Sequence, residues 1–499
     1  MTHTVIGRDP TSANPAQARK PFYHIDPGNA EQSLGNHKAS PPEEARLDAF
    51  FSAFEAILEH SNYRFLMDLY ARTSSKCGRC AVACQVYQAS GDPRDVPCYR
   101  SNLLLDIYRQ FFMSPRPPSG SGNGRWEARF LGDALQPFSG RRHMSPQRLL
   151  QVIDEMGELF YRCTACRRCK LECPMGIDHG LITHLGRYVL SQAGVAPKGL
   201  VVSVREQLEG KTANTSAIPL PALIDNLEFL QEELEEMKSR PITFPVDQQG
   251  AEYIFFPAVS DYLMEADTLM GNAAVLQTAG ISWTIGSQYY DGINYGLFYD
   301  DWVLERIIHK LVDEAHRLQA RKILIGECGH AARSARQFVP AFTASNGGGS
   351  KNGGSMEVVS ILELTLQAVQ QGKISLDPEA IPERVTYHDP CNIARTGWIV
   401  EQPRQILKSF VGDFVEMNPH GTENYCCGGG GGLVSLDETI DFRMRVSGKT
   451  KAEQIAATGA QIVATPCANC KKQLRELMEF YKMPVQIVGV HDLILRAIR

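Results

Sequence analysis

Four cysteines within eleven residues constrain this chain more than any other feature of its sequence. They form the run Cys163-x2-Cys166-x2-Cys169-x3-Cys173, followed by Pro174. Bacterial-type 4Fe–4S proteins use this spacing. Zinc sites also use CxxC pairs, but a zinc ribbon separates two pairs instead of ending one run in Cys-Pro. The run therefore predicts a 4Fe–4S cubane.

A second, incomplete run lies upstream at Cys77, Cys80 and Cys84. In register with the first run, its missing cysteine falls at Ser74, and Gln85 stands where Pro is expected. In two-cluster ferredoxins the cysteine before Pro ligates the other cluster. Applied here, that rule predicts two cubanes with exchanged fourth ligands.

We use two short names for the predicted ligand sets. The proximal cysteine set is Cys84, Cys163, Cys166 and Cys169; the distal cysteine set is Cys77, Cys80, Cys98 and Cys173. Cys98 is the candidate for the position that the upstream run lacks. A serine ligand at Ser74 and a three-iron cluster are the alternatives.

A further group of cysteines, the C-terminal cysteine set, comprises Cys391, Cys426, Cys427, Cys467 and Cys470. Each follows a predicted strand, so the loops converge at one end of a sheet, where open α/β sheets place their sites. Five thiolates exceed the needs of a cubane or a tetrahedral zinc, and adjacent cysteines can straddle two irons of a larger cluster. The following glycines, 428–432, allow close approach to a bulky group. They lack the Lys-Ser/Thr of a phosphate-binding loop.

Composition and pattern predict a multi-domain α+β chain. Residues 1–45, rich in Pro, Ala, Asn, Ser and Gly, are expected to form a disordered arm. Residues 46–195 are expected to form a helical two-cluster ferredoxin domain and 196–249 a helical connector. Residues 250–375 and 376–499 are expected to form two pseudo-repeated α/β lobes, of which the second is complete.

Three local patterns refine this division. Apolar residues recur at helical spacing from Leu47 to Tyr70, with Phe65 and Leu69 among them. A stripe from Leu223 to Met237 predicts an amphipathic helix packed on a neighbouring domain, with a coiled-coil partner as the alternative. Gly- and Ser-rich stretches at 114–125 and 347–355 predict surface loops.

Charge and hydropathy exclude several classes of protein. The chain has 51 basic and 56 acidic residues, which argues against a dedicated nucleic-acid binder. It lacks a membrane-spanning apolar run and an apolar segment at the N-terminus, so a cytoplasmic location is expected. Structural disulfides are rare there, and clustered cysteines then indicate metal.

Tandem 4Fe–4S motifs followed by Cys, CysCysGly and CysxxCys resemble the catalytic, D-type subunit of heterodisulfide reductase. The resemblance covers roughly residues 70–499 and is greatest to the branch that supplies the K subunit of the Dsr membrane complex. It implies a noncubane 4Fe–4S cluster on the C-terminal cysteine set, fed by two cubanes. The cluster would reduce or form a disulfide or trisulfide on a small sulfur-carrier protein.

The same resemblance implies partners and a location. A cytochrome b-type, quinone-reactive membrane subunit would exchange electrons with this chain at the inner membrane, and further iron–sulfur or flavin subunits are additional candidates. The first lobe departs from the family's two-site members. Ala258 stands at the Cys391 position and Thr284-Ile285-Gly286 at the CysCysGly position. One noncubane cluster is therefore expected.

Four residues outside the ligand sets are candidates for the chemistry. Cys328 is expected at a strand end facing the second lobe, and His330 could donate a proton to a leaving thiolate. His388 and Arg395 flank Cys391 and could donate hydrogen bonds to a cluster sulfur or a substrate carboxylate.

Two other functions fit the same motifs less well. An iron–sulfur subunit of a flavin dehydrogenase, acting on glycolate, lactate or glycerol 3-phosphate, or of an electron-transfer flavoprotein system shares both motif types. However, a subunit that carries only cubanes needs no five-cysteine site. A structural zinc protein or nucleic-acid adaptor is disfavoured by the cysteine spacing and the net charge.

Overall fold

Helices and two small parallel sheets make up the structure, a computed structural model that describes residues 43–60, 62–113, 144–215, 217–239, 241–345 and 356–499. Most of the predicted arm and the stretches 114–125 and 347–355 lie outside these residues. The last three arm residues, 43–45, already belong to a helix. No helix in the described ranges combines the length and apolarity needed to cross a membrane.

The part before residue 240 is helical because its apolar residues recur every three or four positions. Its helices are α1 (Glu43–His60), α2 (Tyr63–Thr73), α3 (Gln85–Ser90), α4 (Pro97–Phe111), α5 (Pro146–Tyr161), α6 (Arg168–Leu171), α7 (His179–Gln192), α8 (Lys198–Glu209) and α9 (Leu220–Lys238). Ser145 and Asp178 cap α5 and α7 by accepting hydrogen bonds from backbone N–H groups three residues on. Helix α9 buries four leucines of the predicted stripe and exposes Met237.

The helical pattern from Leu47 to Tyr70 is divided between α1 and α2. Helix α2 buries Tyr63, Met67 and Tyr70, spaced as one helical face. Phe65 and Leu69 lie on the other side of the helix and are exposed, Phe65 by 73%. The pattern predicted the helical structure correctly, but it did not separate these two exposed residues from the buried face of α2.

The two sheets have the same strand order. The first contains β1 (Tyr253–Phe256), β2 (Trp283–Thr284), β3 (Lys322–Ile325) and β4 (Glu357–Ser360), in the order β2-β1-β3-β4. The second contains β5 (Val385–Tyr387), β6 (Phe414–Val415), β7 (Ile462–Ala464) and β8 (Gln486–Val488), in the order β6-β5-β7-β8. Neighbouring strands run parallel, so all their carboxyl ends meet at one edge.

Helices cover both sheets, as parallel strands require. Those of the first lobe are α10 (Ala266–Thr278), α11 (Asp301–Arg317), α12 (Gly329–Ser345) and α13 (Ile361–Gln370). Those of the second are α14 (Cys391–Ala394), α15 (Glu401–Lys408), α16 (Ile440–Phe442), α17 (Lys449–Ala456), α18 (Ala468–Phe480) and α19 (Val490–Ala497), with a π-helical turn at Arg443–Ser447.

The predicted match between Thr284-Ile285-Gly286 and the CysCysGly motif is wrong. Thr284 belongs to β2, which occupies the sheet position of β6. Cys426 instead lies in a loop beyond β6. The weak repeat misled the alignment because β2 and β6 are only two residues long and leave almost no pattern in the sequence.

The lobes pack face to face through α10 and α19, and a buried polar network joins them. Lys471, one residue after the last cysteine, is fully buried and contacts Glu265 at 3.1 Å and the Thr268 hydroxyl at 2.6 Å. Glu327 accepts hydrogen bonds from the backbone and side chain of His491, at 2.9 and 2.6 Å. Residues of the first lobe therefore bind Lys471 and His491, which belong to the same lobe as the C-terminal cysteines.

Candidate metal centres and active site

The structure brings the proximal cysteine set together. Cys169 is half-buried, and its pKa is raised by desolvation and by the nearby sulfurs of Cys166, Cys163 and Cys84. Buried Arg100 reaches the Cys84 sulfur at 3.8 Å. Burial opposes its charge, but Cys163 and Cys84 raise the pKa of its guanidinium. A cation thus lies where four thiolates would concentrate negative charge.

Two members of the distal cysteine set are in direct contact. Cys98 lies on the first turn of α4, and its sulfur shares a hydrogen bond with the Cys80 thiol that lowers the pKa of Cys98. The backbone N–H of Gly78 also donates to Cys98. Cys77 is exposed in the same loop, and Cys173 is partly buried. Cys98 therefore lies against the loop that carries Cys77 and Cys80.

Ser74 has a different partner. Its hydroxyl and the Asn102 side chain lie 3.3–3.4 Å apart, and Asn102 also donates to the Cys98 carbonyl at 2.7 Å. Asn102 thus links Ser74 to the backbone of Cys98. In this arrangement the serine contributes to the scaffold behind Cys98.

The C-terminal cysteine set forms an unbroken chain of sulfur contacts. Hydrogen bonds join Cys391 to Cys426, Cys426 to Cys427, Cys427 to Cys470 and Cys470 to Cys467. Those from Cys391 and Cys427 lower the pKa of Cys426. All fourteen cysteines are free thiols. Five buried or half-buried thiols in mutual reach are a donor set that fits an iron–sulfur cluster.

The glycine run holds the two cysteine regions together. A Cβ placed at Gly430 would lie 2.4 Å from the Thr164 carbonyl oxygen, and one at Gly431 would lie 2.5 Å from that of Cys163. Gly428 has φ +102°, which side chains rarely adopt, and packs on the backbone of Gly448. The run therefore serves backbone contact with the ferredoxin loop, as well as the close approach expected near a cluster.

Three side chains cross between the same two regions. Arg187 is fully buried and donates to the carbonyls of Cys163 at 2.8 Å and Gly431 at 2.7 Å. Gln85 accepts from Cys426 N–H at 2.8 Å and donates to its carbonyl at 3.1 Å. Arg395 donates to the Cys166 carbonyl at 2.5 Å. Cys166 itself packs against the C-terminal cysteine set.

Arg395 has backbone partners that the prediction did not include. Besides the carbonyl of Cys166, it donates to those of Thr422 at 2.8 Å and Asn424 at 2.5 Å. A guanidinium carries five N–H donors, so its expected hydrogen bond to a cluster sulfur or a substrate carboxylate stays a prediction. Three carbonyls converge on the guanidinium, and the sequence gives no sign of them.

Cys328 and His330 lie at the lobe interface beside the C-terminal cysteine set. The pKa of buried Cys328 is raised by burial and by the nearby Cys467. Nδ1 of His330 lies 2.7 Å from the side-chain amide of Asn469, between the last two cysteines. Burial lowers the pKa of His330 to about 4, so the imidazole is neutral near pH 7. Cys328 and His330 of the first lobe therefore lie close to Cys467 and Asn469 of the second lobe.

His388 is fully buried next to the same sulfurs. One of its ring nitrogens and the sulfurs of Cys427 and Cys470 lie within 4.8 Å of one another. Burial and the nearby Lys451 lower the pKa of His388 well below its usual value. His388 lies three residues before Cys391 in the sequence, and this position predicted that it lies close to the C-terminal cysteine set.

Sequence reasoning missed the residues behind His388. Lys451 is fully buried, and burial lowers its pKa to about 7. Its ammonium donates to Asn424 Oδ1 at 2.8 Å. No motif marks either residue. For Gln85 a signal did exist, since it replaces the Pro that usually follows the last cysteine of such a run.

Comparisons with known proteins agree with this architecture. The family model of the 4Fe-4S dicluster domain matches residues 75–177, and that of the cysteine-rich CCG domain matches residues 385–475. Each covers one of the two cysteine regions, and together they identify an iron–sulfur protein.

Several curated relatives span most of this chain. The Hdr-like menaquinol oxidoreductase iron-sulfur subunit 2 of Archaeoglobus fulgidus is 27% identical over 517 residues, covering 96% of this chain and 88% of the relative. The D-type subunit of the dihydromethanophenazine:CoB–CoM heterodisulfide reductase of Methanosarcina barkeri is 24% identical, covering 85% of this chain and 93% of the relative. The EtfAB:quinone oxidoreductase of Syntrophomonas wolfei is 23% identical over 83% of this chain and 56% of its own length.

The alignment with the Archaeoglobus fulgidus relative extends over both cysteine-rich domains of this chain. The expected resemblance is thereby confirmed at the level of the family. The chain is thus an iron–sulfur oxidoreductase that is similar to the D-type subunit of heterodisulfide reductase.

Proposed function

We propose that this protein exchanges electrons with a quinone-reactive membrane subunit. It would take electrons up to reduce a disulfide or trisulfide on a small sulfur-carrier protein, or pass on the electrons released when that bond forms from thiols. The observation that carries the proposal is the contact between Cys166 of the proximal cysteine set and the C-terminal cysteine set. A donor site and a sulfur-rich acceptor site are thereby adjacent within one buried region.

We assign the ligand sets as the spacing of the cysteines predicts them. The proximal and distal sets would each hold a 4Fe–4S cubane, and the C-terminal set a noncubane 4Fe–4S cluster. When bound, these clusters would supply one-electron transfer and an iron at which sulfur can bind. Cys77 is exposed, so the distal set is the one that can approach a redox partner.

The residues around the C-terminal set suit disulfide chemistry. Reducing a disulfide to two thiols takes up two electrons and two protons, and a leaving thiolate needs a proton donor. His330 is neutral and accepts a hydrogen bond at Nδ1 from Asn469, which leaves its proton on Nε2. Cys328 lies close enough to Cys467 to contact a bound sulfur. A neutral imidazole can donate a hydrogen bond but cannot release its proton to a thiolate, so we assign His330 as a hydrogen-bond donor that stabilises the leaving thiolate, with water as the source of the protons. We assign Cys328 as a residue of the substrate pocket.

Three variants test this assignment by turnover, iron content and electron paramagnetic resonance. Cys427→Ala should abolish disulfide turnover while both cubanes stay reducible. His330→Ala should slow turnover without loss of iron, and Cys328→Ala should also keep all iron, since one lone cysteine cannot hold another cluster. Loss of about four irons in Cys328→Ala would mean that the first lobe carries a cluster of its own.

A second function is favoured by the likeness to an EtfAB:quinone oxidoreductase. In that case the chain relays electrons between a flavoprotein and quinone, and the C-terminal site does no sulfur chemistry. Unchanged turnover in Cys427→Ala would support this alternative. A paramagnetic signal that appears when the oxidised protein is treated with thiol would contradict it.

We propose that the membrane partner docks on the face around the distal cysteine set. Apolar side chains next to those cysteines are exposed there: Val82, Tyr99, Leu171 and Met175. Val82 and Met175 are 52% and 50% exposed, although each lies within two residues of a cysteine of this region. The relatives named as menaquinol oxidoreductase subunits favour a quinone-reactive partner.

Charge placed on this face tests the docking site. Val82→Glu and Met175→Glu should each weaken binding to the membrane partner by about tenfold or more while the iron content is kept. Ile440→Glu is a matched control, because Ile440 is 47% exposed on the second lobe. Equal binding by all three variants would place the partner elsewhere.

A further inference from the structure

We propose that His388 donates a hydrogen bond from Nε2 to an anionic sulfur at the C-terminal site, and that Asn424 and Lys451 are positioning residues that fix its proton there. This inference rests on the proposed function, because it takes a cluster on the C-terminal cysteine set as given. It adds a role for three residues that form no part of the ligand set.

Two neighbours fix the orientation of the Asn424 amide. In its charged form Lys451 can only donate, so the atom 2.8 Å from its ammonium is the oxygen Oδ1. The Asp389 carbonyl can only accept, so the atom 2.7 Å from it is the nitrogen Nδ2. The two contacts independently require the same orientation.

The orientation of Asn424 then determines the tautomer of His388. Nδ2 of Asn424 lies 3.3 Å from His388 Nδ1, and an amide N–H can only donate. Nδ1 is therefore the acceptor, and the proton of the neutral imidazole is on Nε2. Lys451 determines this indirectly, because it holds the oxygen of the amide on the side away from His388.

Nε2 has a proton to donate and no partner among the described residues. His388 is fully buried, and buried N–H groups are rarely left unpaired. The groups next to the ring are the sulfurs of Cys427 and Cys470. A ligand thiolate, a cluster sulfide or a substrate sulfur shares the required chemistry, that of an anionic sulfur. A protonated nitrogen has no lone pair for iron, so His388 is a donor and not a ligand.

A hydrogen bond to sulfur stabilises the more negative, reduced level and raises the reduction potential. In the loaded protein, His388→Leu should lower the potential of the C-terminal cluster, leave both cubane potentials unchanged and keep all iron. Asn424→Leu and Lys451→Met should shift it in the same direction. His388→Gln, which retains an N–H donor, should restore part of the shift. The exposed His420 is the control, and His420→Leu should change nothing.

Magnetic resonance on the loaded protein separates a donor from a ligand. With 15N-histidine and exchange into D2O, we expect a weak nitrogen coupling and an exchangeable proton near the cluster, both lost in His388→Leu. A strong, directly bonded nitrogen coupling, or loss of iron in that variant, would overturn the inference. If His388→Leu does not fold, Asn424→Leu and Lys451→Met, which keep the histidine, should weaken the proton coupling.

The outcomes also separate this inference from the proposed function. An unchanged potential in all three variants would overturn the role of His388 while leaving the cluster in place. Absence of any cluster signal from the C-terminal site would instead contradict the proposed function.

Discussion

Cys98 and Ser74 are the two residues that compete to complete the distal cysteine set. The Cys98 sulfur bonds to the Cys80 thiol, whereas the Ser74 hydroxyl bonds to Asn102. Cys98→Ala should therefore lose about four irons or leave a three-iron species, and Ser74→Ala should be silent. Iron and sulfide analysis with electron paramagnetic resonance measures both. The opposite result would assign the serine as the ligand.

At this scale the sequence is informative where chemistry imposes a spacing. Cysteines that share one cluster must follow each other at short, fixed intervals, so the runs around Cys80 and Cys166 were recognisable. Hydrogen-bond partners obey no such rule. Lys451 reaches Asn424 across 27 residues, and only the fold brings them together. The carbonyl partners of Arg395 were unpredictable for the same reason, since every residue possesses a carbonyl group.

Among the structural elements, the glycine loop after Cys427 offers a clear test of interdomain contact. Gly430→Ala would place a methyl group 2.4 Å from the Thr164 carbonyl oxygen, and neither backbone can move freely. We expect a loss of about 1–3 kcal/mol in stability and slower electron transfer between the two regions. Gly412→Ala is the control, because nothing lies within 4 Å of a Cβ there. Equal thermal stability of the two variants would contradict this role of the loop.

Helix α3 makes the second contact of this kind through Gln85. Gln85→Leu should remove its bonds to Cys426 and Ser447 and leave buried backbone groups unpaired, at a cost of about 1–3 kcal/mol. Thermal unfolding of the loaded protein measures this cost. Gln88→Leu, an exposed position on the same helix, should cost much less. A similar loss of stability in both variants would show that any substitution in helix α3 destabilises the protein, and that the Gln85 contact has no special role.

The elements themselves were predictable where they are long. Helix α9 was recognisable because its leucines at 223, 227, 230 and 234 repeat over about three turns. The division between α1 and α2 was not, because only the short polar stretch 59–62 marks it, and the exposed face of a continuous helix can carry polar residues too. Strands of two residues, such as β2, carry too little pattern to place, and this is why the CysCysGly equivalence in the first lobe was misassigned.

For the whole molecule, the number of metal atoms is the simplest test. Three complete ligand sets predict about twelve irons and a similar amount of sulfide per chain. About eight of each in a fully reconstituted sample would mean that one set is empty. We would then expect the distal set to be the empty one, because Cys77 is exposed and the cysteine expected at Ser74 is missing.

The bond from Arg187 to Gly431 spans 244 residues of chain and so has a consequence for synthesis. A ribosome adding about 5–20 residues per second needs roughly 12 to 50 s to produce that interval. Throughout this time the loop at Cys163 has no glycine run to cover it. The nascent protein thus offers its ferredoxin cysteines to the cell's iron–sulfur assembly machinery before the last lobe is made and closes over them.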